Sequence, residues 1–379
     1  MKLSSRAATI APFLAMDIME RAFEMERAGV SVVHLEVGEP DFAPPAAASE
    51  ALTRALVSGA TNYTDSRGLH ELRVAIAEDK SARTGAAVDP ERVIVTGGTS
   101  PAMLLTFGAL LDPGDEVIIP SPHYACYPNF VRFCGGVPVF VSASPADGWQ
   151  IDPDAVRRAV TPRTRAIVYG SPANPTGAIQ SREVVESLAA TGVPLISDEI
   201  YDGLVYDDAR VTSALEVDPN AWVLDGFSKR YAMTGFRLGY VIAPAEAVRT
   251  VQILHQNISI SASEFVQYAG IAALKDGAET VADARRLLAG RRRLLLEGLR
   301  SLGFEVLHPP DGAFYLFADA RAFGADSLAL ATRLLEDGHV GTTPGVDFGA
   351  AGEGYLRFSY AVSEGQLGEA LARLGRCLP

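Results

Sequence analysis

Lys229 lies in the stretch LDGFSKRYAMTGFRLGY (224–240), directly after a short apolar run and before a glycine-containing turn that holds Arg237. A lysine amine forms a Schiff base with an aldehyde, and it is best placed when a rigid strand end fixes it. An arginine in the neighbouring turn suits a phosphate dianion, because its guanidinium offers paired donors. Either residue alone is also typical of surface charge. Together they suggest a nucleophilic amine beside a phosphate site.

Short apolar runs recur along the chain, each followed by small or polar residues and then by a helical pattern. They are RVIVTGG (92–98), DEVIIPSP (115–122), RAIVYGSPANPTG (165–177), VPLISDEIY (193–201), AWVLDGFSK (221–229) and LGYVIAP (238–244). Apolar runs that alternate with helices predict an α/β fold with a mostly parallel sheet sandwiched by helices. Such sheets bind ligands at the C-terminal ends of their strands. That edge should gather the polar residues after the runs: Gly98, Thr99, Ser100, Tyr124, Asn174, Asp198, Tyr201 and Lys229.

The pattern changes from about residue 280. VADARRLLAGRRRLLLEGLRSLG (281–303) predicts a long amphipathic helix, and AFYLFAD (313–319) and GYLRFSYA (354–361) alternate as strands with an exposed face do. This C-terminal part is expected to form a smaller α+β domain. We therefore predict three parts: an N-terminal segment (1–45) that packs with the small domain, a large domain (46–280) and the small domain (281–379).

Composition narrows the function classes. The chain of 379 residues has 33 Lys and Arg against 46 Asp and Glu, a net charge of −13, which disfavours nucleic acid and anionic membranes as partners. Three scattered cysteines without a C-x-x-C motif fit free thiols in a reducing compartment and disfavour a structural zinc site. The N-terminal stretch lacks the sustained apolar run of a secretion signal or membrane anchor. A cytoplasmic location is expected.

Several familiar chemical motifs are absent from the sequence. PLISDEI could hold magnesium as in nucleotide hydrolases, but that site needs a phosphate loop, and the chain contains no Gly-Lys pair. G-x-G-x-x-G, H-E-x-x-H and G-x-S-x-G do not occur either. Dinucleotide, metal-dependent and serine-hydrolase chemistries are therefore not supported, and no metal is expected.

SKRYAMTGFRLG resembles the lysine signature of the pyridoxal-phosphate-dependent aminotransferases of fold type I, class I/II, a group that includes aspartate and alanine aminotransferases. The resemblance extends from about Val32 to about Val362. It implies that Lys229 carries pyridoxal 5′-phosphate as an internal aldimine and that Arg237 binds the cofactor phosphate. The chain departs from the pattern at Gly226, where many members of the family have a serine.

The resemblance also assigns the residues around the cofactor ring. It implies that Asp198 pairs with the pyridine nitrogen and keeps the ring an electron sink, while Tyr201 and Asn174 bind its O3′ atom. Tyr124 falls where the family stacks an aromatic residue on the ring. Each residue also has an ordinary structural explanation: Asp198 as a helix cap, Asn174 as a turn residue and Tyr124 as part of the core.

A second set of positions is implied for the phosphate. Gly98, Thr99 and Ser100 open a helical pattern whose free amides and hydroxyls suit an anion, and Ser228 would assist. TNYTDSRGLHELR resembles the segment that delivers a tyrosine, here Tyr63, to the active site of the neighbouring subunit. The resemblance therefore implies a homodimer.

Substrate binding is implied for three positions. Arg357 matches the small-domain arginine that holds the substrate α-carboxylate, Gly38 matches the glycine that approaches the same group, and Asn174 is implied to bind the substrate as well. The implied reaction moves an amino group from an L-amino acid to a 2-oxo acid through a pyridoxamine phosphate intermediate, with Lys229, Asp198 and Tyr201 as its catalytic residues. Some relatives with acidic substrates carry lysine where this chain has Thr99, which weakens an aspartate-specific interpretation.

Other functions are compatible with the same residues. A carbon–sulfur β-lyase or an aminocyclopropane-carboxylate-synthase-like enzyme would share the lysine, the aspartate and the arginine, although MTGFRLGY is closer to the aminotransferase version. A non-enzymatic alternative is the aminotransferase-like sensor domain of transcription regulators. The resemblance begins near the N-terminus and the net charge is acidic, both of which disfavour a DNA-binding module.

Overall fold

The computed structural model describes residues 3–378. Its α-helices are α1 Ser5–Ala8, α2 Leu14–Arg27, α3 Ala46–Val57, α4 His70–Thr84, α5 Thr99–Leu110, α6 Tyr127–Phe133, α7 Pro153–Ala159, α8 Arg182–Ala189, α9 Val248–Ile258, α10 Glu264–Asp276, α11 Ala278–Ser301, α12 Ser327–Glu336 and α13 Glu364–Cys377. Its strands are β1 Val33–His34, β2 Val93–Thr96, β3 Glu116–Ser121, β4 Val137–Ser142, β5 Thr164–Gly170, β6 Leu195–Asp198, β7 Trp222–Gly226, β8 Gly239–Ile242, β9 Tyr315–Asp319, β10 Val340–Gly341, β11 Thr343–Pro344 and β12 Tyr355–Ser359. Among these helices, none combines the length and hydrophobicity that a bilayer crossing requires.

A seven-stranded sheet forms the centre of the larger part, in the order β2-β8-β7-β6-β5-β3-β4. All neighbours run parallel except β8, which is antiparallel to both β2 and β7. The strands β2, β3, β6, β7 and β8 are buried along their whole length, as their continuous apolar runs predict. Two separate apolar clusters pack on its two faces. The predicted α/β fold with a mostly parallel sheet between helices is confirmed.

Strand β4 is the member of this sheet that the sequence patterns do not predict. Its sequence VPVFVS contains Pro138, and most of the strand is exposed or half-buried. A proline lacks the amide that a central strand needs, so it is tolerated at an edge. Because β4 pairs only with β3, it can carry Pro138 and does not show the buried pattern of the inner strands.

A smaller antiparallel sheet, ordered β11-β12-β9, lies beside the long helix α11. The expectation that its strands have an exposed face is wrong, because every residue of β12 is buried. Leu356 and Phe358 join the core that α11 covers. On the opposite face Tyr355 stacks on Phe317 with ring centroids 4.8 Å apart, and Trp149 packs edge-on against both rings. Trp149, which lies far from β12 along the chain, therefore helps to cover the face that alternation alone predicts to be in solvent.

The N-terminal segment packs with this smaller part of the structure. Strand β1 pairs in parallel with β10, and the backbone amide of Leu35 continues the pairing by donating to Gly341 at 3.0 Å. Ile18, Ala22 and Met25 of α2 belong to the same apolar cluster as the buried side of α11. The segment before α3 thus brings the start of α2 and Gly38 to the cleft between the two sheets.

Candidate active site

A cavity of about 250 Å³ lies where the C-terminal ends of β5, β6 and β7 face β12 and the start of α2. Its walls include most of the residues that the sequence nominates: Gly38, Thr99, Ser100, Tyr124, Asn174, Asp198, Tyr201, Ser228, Lys229, Arg237 and Arg357. Gly98 lies directly behind Arg237, since a Cβ atom added there would meet the Arg237 Nη2 atom at 2.5 Å. Tyr63 is away from this cavity and 79% exposed.

Lys229 is held over the cavity by the end of β7. Its Nζ donates to the backbone oxygen of Gly38 at 2.6 Å, so the amine bridges the large domain and the N-terminal segment. Burial lowers the pKa of Lys229 to about 8; the carboxylate of Glu39 opposes this shift, and Arg357 and Arg237 add to it. A lysine whose pKa is lowered in this way is neutral, and hence nucleophilic, in a larger fraction of molecules near neutral pH.

Asp198 ends β6 and is almost fully buried beneath the cavity. Its Oδ2 accepts a hydrogen bond from the Tyr127 hydroxyl at 2.8 Å, and its Oδ1 accepts one from the Ile200 amide at 3.3 Å. Burial raises the pKa of Asp198 to about 7, and these two hydrogen bonds oppose the rise. No α-helix begins at this residue, so the helix-cap explanation fails. A buried carboxyl of this kind gains most from a cationic partner placed in the cavity.

The side of the cavity nearest β9 carries two tyrosines and an amide. The hydroxyls of Tyr201 and Tyr315 lie 2.7 Å apart, and both side chains are buried. Tyr315 also explains why position 38 is glycine, because a Cβ on Gly38 would stand 1.9 Å from its hydroxyl. Asn174 follows β5 and presents its Oδ1 atom to Arg357 at 2.9 Å. Asn174 and Tyr201 therefore both line this cavity, together with Tyr315, which the sequence patterns do not nominate.

The opposite end of the cavity offers donors to an anion. Helix α5 begins at Thr99, directly after Gly98, whose φ of 109° favours glycine. Arg237 adopts a left-handed conformation with φ of 56°, and its Nη1 donates to the Thr234 oxygen at 2.9 Å. Free amides at a helix start, the Ser100 hydroxyl and a guanidinium are the groups that bind phosphate.

Gly226 departs from the lysine signature for a steric reason. It pairs with Gly239 across β7 and β8, and a Cβ atom on Gly226 would lie 2.9 Å from the Gly239 Cα and 3.0 Å from the Leu238 oxygen. A serine at this position would require the two strands to move apart. The hydroxyl groups available to an anion at this end of the cavity are those of Ser228 and of Thr99 and Ser100 in α5.

Arg357 projects from the middle strand of the small sheet into the cavity and is 2% exposed. Its guanidinium donates to Asn174, to Thr343 Oγ1 at 3.0 Å and to the Glu36 backbone oxygen, and it lies 4.4 Å from the Tyr315 ring centroid. These partners are all neutral, and its Nε has no partner among the described residues. No carboxylate of the described residues pairs with it directly, so the guanidinium suits a substrate carboxylate.

Sequence reasoning missed three residues that shape the site, namely Tyr127, Tyr315 and Thr343. Each reaches the site from a neighbouring element and contacts a predicted residue, namely Asp198, Tyr201 and Arg357 respectively. Nothing in the local sequence distinguishes these side chains from core residues, since their roles arise from contacts over long chain separations. Tyr127 comes nearest to a sequence signal, because it lies in the same SPHYACYP stretch as Tyr124.

The cavity fits pyridoxal phosphate on its own chemistry. A buried carboxyl, an amine with a lowered pKa and donors for an anion line one space, and these are the kinds of group that a ring nitrogen, an aldehyde and a phosphate require. The unpaired Arg357 Nε adds a donor for a further anion. The residues present therefore accommodate both the cofactor and a carboxylate substrate.

Known proteins resemble the chain over its whole length. Residues 30–374 match the family Aminotransferase class I and II. The chain is 42% identical over 383 residues to the aspartate/prephenate aminotransferase of Thermus thermophilus, covering 99% of this chain and 98% of that protein. It is 40% identical to the valine–pyruvate aminotransferase of Mycobacterium tuberculosis, covering 98% and 97%. The solved structure of aspartate aminotransferase from Thermus thermophilus with maleate covers 100% of both chains, with a TM-score of 0.96 and 42% identity.

These similarities confirm the predictions of the fold, the cofactor and the reaction. They favour transamination over the lyase, synthase and sensor alternatives, because full-length relatives at this identity are named as aminotransferases. The chain therefore belongs to the class I and II aminotransferases, the fold type I enzymes that use pyridoxal phosphate to move an amino group from an amino acid to a 2-oxo acid.

Proposed function

We propose that Lys229 is the residue that binds the cofactor covalently and moves the substrate proton, with Asp198 and Tyr201 as its catalytic partners. One observation carries this assignment. The Lys229 amine, whose pKa burial lowers to about 8, shares a single cavity with the Asp198 carboxyl and the unneutralised Arg357 guanidinium. An amine, an acid and a carboxylate receptor in one enclosed space are the minimum that amino transfer from an amino acid requires.

In this proposal the cofactor is held at both ends. Asp198 would pair with its ring nitrogen and Tyr201 and Asn174 with its O3′ atom, while Tyr124 would cover the ring. Gly98, Thr99, Ser100, Ser228 and Arg237 would hold its phosphate. When bound, pyridoxal phosphate supplies an aldehyde that takes up the amino group and a ring that accepts electrons from the substrate Cα.

The residues of the chain itself would bind the substrate and move its proton. Arg357 fixes the substrate α-carboxylate with two donors, aided by Asn174 and the backbone at Gly38, and thereby sets the direction of the Cα–H bond. The Lys229 amine would remove the proton from the substrate Cα. A pKa near 8 lets the same amine take and release that proton within one turnover, as a general base and then a general acid.

We further propose that the active unit is a homodimer in which Tyr63 completes the phosphate site of the neighbouring subunit. Tyr63 is 79% exposed and distant from the cavity of its own chain, which supports a role outside it. The segment is held in place by hydrogen bonds from the Asn62 amide to Glu264 and from the Thr64 amide to Ser261. An anchored loop with an exposed aromatic tip is suited to contact a second copy.

The domain boundaries and the location are proposals of the same kind. We place the N-terminal segment at 1–45, the large domain at 46–280 and the small domain at 281–379. The pairing of β1 with β10 and the shared apolar cluster support grouping the first and last parts. Three free thiols support action in the cytoplasm, where thiols stay reduced.

The test is amino transfer by the purified holoenzyme from a panel of L-amino acids to 2-oxoglutarate and to pyruvate. Turnover should be lost in Lys229→Ala, while non-covalent binding of the cofactor persists. Lys275→Ala, which changes an exposed lysine of α10, is the matched control and should retain wild-type turnover. Full activity of Lys229→Ala would overturn the assignment.

A further inference from the structure

Part of the cavity wall is apolar and carries none of the residues assigned to the cofactor. It is formed by Phe13, Ala15 and Met16 at the start of α2 and by Val37 after β1. We propose that this wall receives the side chain of the amino donor and selects uncharged, apolar L-amino acids over acidic ones. The inference rests on the proposed function, because it takes Arg357 as the receptor for the α-carboxylate.

The first argument is the distribution of positive charge. The cations on the cavity wall of the described chain are Lys229, Arg237 and Arg357. In the proposed function each has a partner already: the cofactor aldehyde, its phosphate and the substrate α-carboxylate. A second carboxylate on the substrate would therefore leave water for a site without a free cation, which carries a large desolvation cost.

The second argument concerns the start of α2. The positive end of a helix could bind a distal carboxylate, but here the first amides are already used. The amides of Leu14 and Ala15 donate to the two carboxylate oxygens of Asp347 at 3.0 Å and 3.2 Å. Asp347 thus supplies the anion that this helix end favours, and an acidic substrate would compete with it.

The third argument is the shape and softness of the wall. Phe13 packs edge-on against Tyr124, with ring centroids 6.0 Å apart and planes at 89°. This contact fixes the Phe13 ring, so part of the wall is a rigid aromatic surface. Met16, also on this wall, is 39% exposed, and a methionine adapts to ligands of different shape. An aliphatic, thioether or aromatic donor would bury apolar surface against both.

The experiment measures the donor half-reaction alone, so that the choice of acceptor cannot influence the result. Holoenzyme is mixed with excess L-leucine, L-methionine, L-phenylalanine or L-aspartate, and the loss of the aldehyde absorbance of the cofactor is followed in a stopped-flow instrument. We expect the best apolar donor to react at least about tenfold faster per unit concentration than aspartate, the scale that pocket contacts usually give. A faster reaction with aspartate would overturn the inference.

A positive charge placed on the wall should shift the selectivity from apolar donors toward acidic ones. Met16→Lys should raise the ratio of the aspartate rate to the methionine rate by about tenfold or more, because it supplies the missing cation. Phe23→Lys is the matched control, since it adds the same charge to the same helix at 42% exposure but off the cavity wall. Equal ratios in both variants and the wild type would contradict the proposed location of the side-chain site.

A binding measurement gives a readout that does not depend on turnover. Calorimetry of the holoenzyme should show 3-phenylpropionate binding about tenfold or more tightly than maleate, which carries a second carboxylate in place of an apolar group. Tighter binding of maleate would overturn the inference. A cation brought to this wall by a second subunit would give that result. Aspartate-selective transamination would refute only the apolar selectivity, whereas loss of the cofactor link to Lys229 would refute the proposed function itself.

Discussion

Lys80 offers the sharpest test of how the large domain is held together. It lies on α4 with no exposed surface, and its Nζ is 2.5 Å from Glu199 Oε2, 3.2 Å from Asp225 Oδ2 and 3.4 Å from Asp202 Oδ2. Burial alone would lower the pKa of Lys80, but Glu199 and Asp225 outweigh it and leave the pKa raised. The ammonium ion therefore stays charged and ties the loop after β6 to strand β7.

The perturbation is Lys80→Met, which keeps the length of the side chain but removes its charge. Arg83 still pairs with Asp202 and Asp225, so Glu199 is the carboxylate that loses its cation. Glu199 is fully buried and keeps hydrogen bonds at 3.0 Å from the Ser213 hydroxyl and the Ala214 amide. Removing one partner of a buried ion pair costs about 3–5 kcal/mol. The retained hydrogen bonds place the expected loss at the lower end, about 3 kcal/mol.

The assay is urea unfolding of the wild type, Lys80→Met and the exposed control Lys275→Met. The free energy of unfolding should fall by about 3 kcal/mol in Lys80→Met and by less than about 0.5 kcal/mol in the control. Equal stability of the two variants would refute the structural role given to Lys80.

Three further predictions concern the site. Arg357→Lys keeps the charge but loses the paired donors, a loss of about 1.5–3 kcal/mol, so kcat/KM should fall about 10- to 150-fold in steady-state kinetics. Tyr127→Phe removes a hydrogen bond that opposes the raised pKa of Asp198, which is about 7, so the pKa should rise further. As the pH is lowered in titrations of the apoprotein, cofactor affinity should therefore begin to fall at a higher pH in this variant than in the wild type. Co-expression of Tyr63→Ala with Lys229→Ala should restore activity that each variant lacks alone, because the mixed dimer contains one intact site.

Each of these predictions has an outcome that contradicts it. Arg321→Lys, at an arginine 64% exposed beside Asp319, should change kcat/KM less than about twofold, and an equal loss there would make the Arg357 effect nonspecific. An unchanged pH midpoint would show that the Tyr127 hydroxyl does not influence the carboxyl beneath the cavity. Absence of recovery on co-expression would refute the shared site.

Much of the fold follows from local pattern. The strands β2, β3, β6, β7 and β8 appear in the sequence as continuous apolar runs, because both of their faces are buried. The residues after them are predictable as site candidates, because parallel strands deliver their ends to one edge of the sheet. Lys229 and Asp198 meet at the cavity for this reason.

What could not be predicted depends on contacts between distant parts of the chain. Trp149 covers one face of β12, and an alternating pattern cannot reveal a cover that comes from another domain. Tyr315 and Lys80 look like ordinary core and surface residues in sequence. Their partners Tyr201 and Glu199 are more than a hundred residues away along the chain, and only the packing of helices on the sheet brings them together.

Arg357 shows a further limit of prediction from the sequence. Its position on an alternating strand is equally compatible with a solvated side chain, and only family resemblance nominates it. The structure buries it to 2% exposure with neutral partners, a state that is costly without an anion and therefore suits a carboxylate substrate.

The covalent link at Lys229 is the claim on which the whole account depends, and it can be measured directly. Purified protein is reduced with borohydride, digested and analysed by peptide mass spectrometry. The account predicts a phosphopyridoxyl group on Lys229 in the wild type and its absence in Lys229→Ala. A modified peptide that carries the group on another lysine, or a cofactor that reduction leaves wholly free, would contradict it.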